Sequence, residues 1–349
     1  MGYIEKSFNM KKLILLLNIL IISCDTDLTP KIETDPEIEK WKVLSSELVD
    51  LALFHGNNPE NPYYITGNTL HTHVFLTYTL AINNGWEDDQ TLNSLNNAYS
   101  LIDSLNYGLG YEWDAFQDGT INSKFTNYTI TMTYHVGYPF IQGYKAGAIP
   151  ILKLIDLIDS VLNVPLADSL ENGTCWAYSD NPNDVVGCVH NVNISVAFFL
   201  EQIMQLGFYE YNFTDEINSI VDRELHSFLP EHNNYLYWDG QDILTDQNHL
   251  AHQAWFMYNL SDEEIQTLGS IIIDEISNNR QKDIKSLVGQ LLILQTNNFQ
   301  SDSLYVVIKR LLNNEESEYF ETGSYSFSNP RILAQLALYS IKFYQSQLP

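Results

Sequence analysis

From Trp41 to the C-terminus the chain reads as one helix after another, and those helices alternate in character. Candidate segments run near 37–54, 68–83, 89–106, 128–145, 149–162, 190–206, 214–229, 247–259, 262–278, 282–296, 301–313 and 329–346. Apolar residues recur at three- and four-residue spacing, as in Leu152, Ile155, Ile158 and Leu162, or Ile217, Ile220, Val221 and Leu225. Start signals precede several segments: Thr66 and Asn68, Asp246, Ser261-Asp262-Glu263-Glu264, and Ser301-Asp302. Segments 89–106, 214–229, 262–278 and 301–313 carry charge and ordinary amphipathic stripes, as outer helices do. The intervening ones are poorer in charge and open on polar hydrogen-bonding residues: Asn68, Thr69, His71 and His73; Asn127, Tyr128, Thr131, Tyr134 and His135; His190, Asn191 and Asn193; Asn248, His249 and His252; Ser328, Asn329 and Arg331. A helix that is mostly apolar all round is a buried one. The sequence therefore predicts an all-α class with an inner and an outer set of helices, six pairs in all.

A weak internal repeat accompanies the alternation. An aromatic-plus-Asp loop precedes three inner helices: Trp113-Asp114, Trp176-Ala177-Tyr178-Ser179-Asp180, and Trp238-Asp239-Gly240. Fixed-period similarity of this kind marks repeat architectures. Six hairpins closing into a ring resemble the (α/α)6 toroid shared by many glycoside hydrolases, polysaccharide lyases and sugar epimerases, and by terpenoid-cyclase-like proteins. The alternative arrangement is an open helical-repeat solenoid. The acidic run of terpene cyclases is absent, and so is the Cys/His zinc set of lanthionine-synthetase-like toroids.

The first 39 residues have a different composition. Met10-Lys11-Lys12 is followed by the apolar stretch Leu13 to Ile22 and then Ser23-Cys24, the layout of a secretory signal. The ending Leu20-Ile21-Ile22-Ser23-Cys24 resembles the lipobox of bacterial lipoproteins, which implies cleavage before Cys24, a lipid on its thiol and an extracytoplasmic, membrane-tethered protein. Residues 25–39 are acidic, polar and Pro-containing, as a spacer is. The expected layout is thus signal 1–23, tether 24–39 and one domain over 40–349. No later segment reaches the roughly 18 apolar residues that a membrane span requires. In an oxidising compartment Cys175 and Cys188 read as a loop disulfide, two buried thiols being the alternative.

Charge narrows the partners. The chain holds 17 basic and 44 acidic residues, a formal −27, and loss of the signal leaves −29. No basic surface exists to neutralise phosphates, so a nucleic-acid partner is not expected.

In a closed toroid the inner helices start on one face, and their preceding loops converge there. Trp113, Trp176, Tyr178 and Trp238 would stack on sugar rings, with Asn191, His249 and Arg331 binding hydroxyls or a carboxylate. Hydrolysis needs two carboxyl groups flanking the bond, for which Asp114 or Asp180 with Asp239 are the candidates among Asp184, Asp246 and Glu321 as well. Lyase or epimerase chemistry needs a base beside an acidic C–H, and His190, Tyr134 and His135 suit that role, with Arg331 as carboxylate clamp. His71 and His73 lie about 200° apart on a helix and make a poor ligand pair; His249 and His252 share a face but lack a carboxylate partner. No metal and no cofactor is expected. The reading is a carbohydrate-active enzyme, with a non-catalytic glycan- or protein-binding lipoprotein as the alternative.

Overall fold

The computed structural model describes residues 35–58, 68–116, 118–167, 173–185, 187–207, 212–226, 228–229, 234–235, 305–306, 308–309, 312 and 329–348. Its helices are α1 (Pro36–Gly56), α2 (Asn68–Asn84), α3 (Asp89–Leu105), α4 (Tyr138–Lys145), α5 (Ile151–Leu162), α6 (His190–Leu206), α7 (Thr214–His226) and α8 (Pro330–Ser346). A π-helical stretch, Thr131–Gly137, runs without a break into α4. The class is all-α; the described strands are two-residue pieces, β1 (Phe228–Leu229) and β2 (Asn234–Tyr235), paired antiparallel. The predicted segments 247–259, 262–278 and 282–296 lie outside the described residues, as do Cys24 and the signal. Segment 301–313 is described at five positions, all helical.

Two boundaries differ from the sequence reading. The compact unit begins at Pro36, and Pro36–Glu39, the end of the stretch read as spacer, form the first turn of α1, one residue ahead of the helix expected from 37. Pro36 suits a first helical position, where its missing N–H has no partner to lose. The segment read as helical to 229 ends at His226, and Phe228–Leu229 pair with Asn234–Tyr235 instead.

Among the described helices, the charge-poor segments pack on one another. α8 packs on α1 and α2, α2 packs on the π stretch, and the π stretch packs on α6, so α8, α2, π–α4 and α6 form one row. α1, α3, α5 and α7 flank that row, each against its neighbour in it. Two apolar clusters follow from this. One joins Leu44, Leu48 and Ala52 of α1 to Phe75, Leu76 and Leu80 of α2 and to Leu333, Leu336 and Ile341 of α8. The other joins Leu70 and Val74 of α2 to Ile141, Leu154, Ile158, Val196, Phe199 and Ile220. α2 contributes to both, so it has apolar contacts on opposite sides. α8 is buried from Ile332 to Ile341.

Buried inner helices have no wet face, so their hydroxyls must be satisfied within the row. Thr77 and Thr79 donate to the carbonyls of His73 (2.6 Å) and Phe75 (2.8 Å), Thr133 to Thr129 (2.8 Å) and Ser340 to Leu336 (2.9 Å), each one turn back. Ser45 of α1 donates to the carbonyl of Ala337 at 2.8 Å, tying α1 to α8. Side chains cap two helix starts: Asp88 accepts from the amides of Gln90 and Thr91, and Asn329 from that of Arg331.

On α5 the buried stripe is Leu154, Leu157, Ile158 and Val161, whereas Leu152, read as core, is 68% exposed. The polar residues Lys153, Asp156 and Asp159 fix the wet side, and the buried face lies opposite them.

The π stretch has a local cause. Pro139 has no N–H for the His135 carbonyl and its ring needs room there, and a widened turn supplies both. At Gly137 an added Cβ would stand 2.4 Å from the Met132 carbonyl oxygen and 2.8 Å from the Phe199 ring. Gly137→Ala is therefore expected to lower stability by about 1–3 kcal/mol, as overpacking does, read as a lower midpoint in urea with an unchanged slope.

Candidate functional site

The loops before the inner helices build an aromatic group. Trp113 exchanges backbone hydrogen bonds with Asn122 (3.2 and 2.6 Å), and Tyr128 pairs with Ser179 in a second isolated bridge. These pairings set Trp113, Tyr128 and Tyr178 at mutual ring distances of 5.8–6.0 Å, with Phe116 against Tyr178 at 5.5 Å. Trp113 and Tyr178, predicted as sugar-stacking residues, thus share one cluster. Trp176 does not join it. It is 6% exposed inside the larger apolar core, and its amide donates to Asn193 Oδ1 at 3.2 Å.

The loop carboxylates are engaged with neighbouring donors. Asp114 accepts from the amides of Asp118 (3.2 Å) and Gly119 (2.9 Å), closing its own turn. Asp180 accepts from both the amide (3.0 Å) and the side chain (2.8 Å) of Asn127, clamping two loops together. Asp184 is buried, accepting from Ser179 and from Asn122 at 2.7 Å, and its burial pushes its pKa up. Asn127 also lines a pocket of about 390 Å³ with Asp103, Tyr107, Lys153 and Asp156, between α3 and α5.

His190 opens α6 and is 1% exposed, with Nδ1 3.0 Å from Glu224 Oε2 of α7. Asn193 Nδ2 donates to Glu224 Oε1 and to the Thr174 carbonyl, both at 3.0 Å, and the Cys175–Cys188 disulfide (Cα–Cα 5.7 Å) lies at this corner. Asn191 is likewise buried, 3% exposed.

Three inner helices bring the remaining candidates together. His71 of α2 packs against His135 of the π stretch, ring centres 4.4 Å apart and tilted by 33°, and shares a hydrogen bond with Thr131 Oγ1 at 3.0 Å. Phe75 and Tyr134 sit edge-on to His135 at 5.6 and 5.4 Å. The Tyr134 and Tyr339 hydroxyls are 3.4 Å apart, and Gln335 donates to Tyr339 at 2.7 Å. Arg331, at the start of α8, lies close enough for its charge to act on His71. Burial first, and that cation second, hold the His71 pKa well below its ordinary value, so its imidazole is neutral. Of the predicted residues, Tyr134, His135 and Arg331 belong to this group. Trp238, Asp239 and His249 lie outside the described residues.

Sequence reasoning missed Glu224 and His71. Glu224 sits on a helix read as an outer one, yet 217, 220 and 224 follow the buried spacing, and that register is the signal. His71 was set aside as half of a poor ligand pair with His73. The two do point to different sides: His73 lines a small pocket with Ala52, Leu53, Gly56 and Pro330.

Comparison with known protein families, with curated proteins and with solved structures finds no match to this chain.

The buried imidazoles predict an acid-sensitive fold. Burial lowers the His73 pKa from 6.5 to about 4, so its contribution is complete above pH 6.5 and is lost as the pH falls towards 4. Asp184, raised by burial, acts in the opposite sense, its contribution lost as the pH rises above 3.8. Over pH 6.5 to 4, His73→Gln is expected to flatten the fall in unfolding free energy, by up to about 1.4 kcal/mol per pH unit. Urea titrations across that range check it.

Proposed function

We propose that the protein is a lipid-anchored, extracytoplasmic carbohydrate-active enzyme that removes a proton next to a carbonyl or carboxylate of a sugar, as lyases and epimerases do. The observation that carries the reading is the His71–His135–Arg331 group with the Tyr134–Tyr339 pair, gathered from three inner helices. Proton abstraction needs a base at the C–H and a cation or donors at the oxygen that gains charge. His135 or Tyr134 serves as base. Arg331 holds the carboxylate or developing enolate, and the cation gives a local exception to the −27 of the whole chain. Glycoside hydrolysis is the weaker reading, because both oxygens of Asp114 and of Asp180 already accept hydrogen bonds. The Trp113–Tyr128–Tyr178 group supplies aromatic surface for sugar rings.

A closed (α/α)6 toroid is the architecture that fits. What supports it over an open solenoid is the packing of α8 on α1 and α2, since a solenoid separates its first and last repeats.

Incubating the protein with a panel of mono- and oligosaccharides in deuterated water separates the chemistries by mass. One deuteron gained without cleavage, or an unsaturated fragment, is the expected result, with His135→Ala and Tyr134→Phe slowing it by about 10²–10⁴. Gain of water that survives His135→Ala would overturn the reading, and ligand binding without turnover would establish the binding-protein alternative. Anchoring is tested separately: Cys24→Ser should move the protein from the membrane to the soluble fraction of the cell envelope.

A further inference from the structure

The corner where α6 meets α7 carries a group of metal-ligand type that the proton-transfer chemistry does not use. One ligand atom each from Cys188, His190 and Glu224 lie within 4.8 Å of one another, and all three residues are buried. His190 Nδ1 and Glu224 Oε2 are 3.0 Å apart, close to the roughly 3.3 Å between neighbouring tetrahedral ligands about 2.0–2.1 Å from zinc. The carboxylate is already oriented by Asn193, itself fixed by the Thr174 carbonyl, which is the outer support that metal-bound carboxylates have. The sulfur is committed, because Cys188 is bonded to Cys175.

We propose that this corner is a redox-gated metal site: reduction of the Cys175–Cys188 disulfide creates a zinc site formed by Cys188, His190 and Glu224, with the fourth position left to water and Cys175 remaining a thiol. A dithiol reductant delivers two electrons and two protons to the S–S bond and is itself oxidised to a disulfide, leaving two thiols. Zinc then takes the place of the Cys188 thiol proton, which passes to solvent, and of the hydrogen bond between His190 and Glu224. One thiolate and one carboxylate balance the +2 of the ion, so the buried centre carries no net charge and avoids the cost of an uncompensated one. Thiolate with imidazole and carboxylate suits zinc rather than a hard oxygen-seeking cation.

Cobalt(II), a spectroscopic stand-in for zinc, tests this on the full chain carrying Cys24→Ser, so that only these two cysteines remain. The oxidised chain should bind none. After reduction it should take one equivalent, with a thiolate-to-cobalt charge-transfer band and the intense visible bands of tetrahedral cobalt. Cys175→Ser should bind without any reductant, because Cys188 is then free. Cys188→Ser should abolish the band. Adding Glu224→Gln to the Cys175→Ser chain should weaken binding by more than the roughly 10- to 100-fold that loss of an outer partner costs. If reduction loosens the fold, zinc should raise the thermal midpoint of the reduced chain and leave the oxidised one unchanged. Absence of a band in both the reduced and the Cys175→Ser chains, its persistence in Cys188→Ser, or a reduced chain that zinc does not stabilise would each overturn the proposal.

Discussion

The burial of α2 and α8 without a solvent-facing side is the constraint from which the other features follow. A helix in that position has apolar neighbours all round, and each polar side chain on it must find a partner inside the protein or pay the cost of desolvation. Thr77, Thr79 and Ser340 meet this by bonding back to their own helix. His71, Tyr339 and Gln335 meet it through partners on or along the inner row. The polar group proposed as the reaction centre is thus a product of the same demand that shapes the core. Imidazoles and phenols can stay neutral there, where carboxylates would need charged partners.

The loops obey a related rule. Asp114, Asp180 and Asp184 each accept from amides or side chains of neighbouring loop residues, and two short backbone bridges hold Trp113 and Tyr128 in place. In the folded chain these loop acids close turns and join loops. An Asp beside unpaired backbone amides is a strong acceptor, and proximity in sequence favours that bond before any ligand arrives.

Much of the fold was legible in the sequence, and the reasons can be given residue by residue. The spacing of Leu48 and Ala52, or of Ile217 and Ile220, is a local property that a helix carries into any context. Asn329, among the polar residues that open the segment 329–346, accepts from the amide of Arg331 two residues on. On α5 the charged residues Lys153, Asp156 and Asp159 mark the wet side, on which Leu152 lies and Leu154 does not. Elsewhere a non-local contact decided. The widened turns at Thr131–Gly137 answer to Pro139 and to the approach of Phe199 across 62 residues.

By itself the sequence determined the helical class and marked Cys175 and Cys188 as candidates for a bridge, because periodicity and short loops are local. It also placed Tyr134, His135 and Arg331 among the functional candidates from their positions near helix starts. Only the tertiary structure decided which of them meet. His71, His135 and Arg331 come from three helices spread over 260 residues, and Glu224 reaches His190 from the next helix, so their chemistry exists only once those helices have packed. Periodicity says which side of a helix is buried; what that side faces is a property of its neighbours.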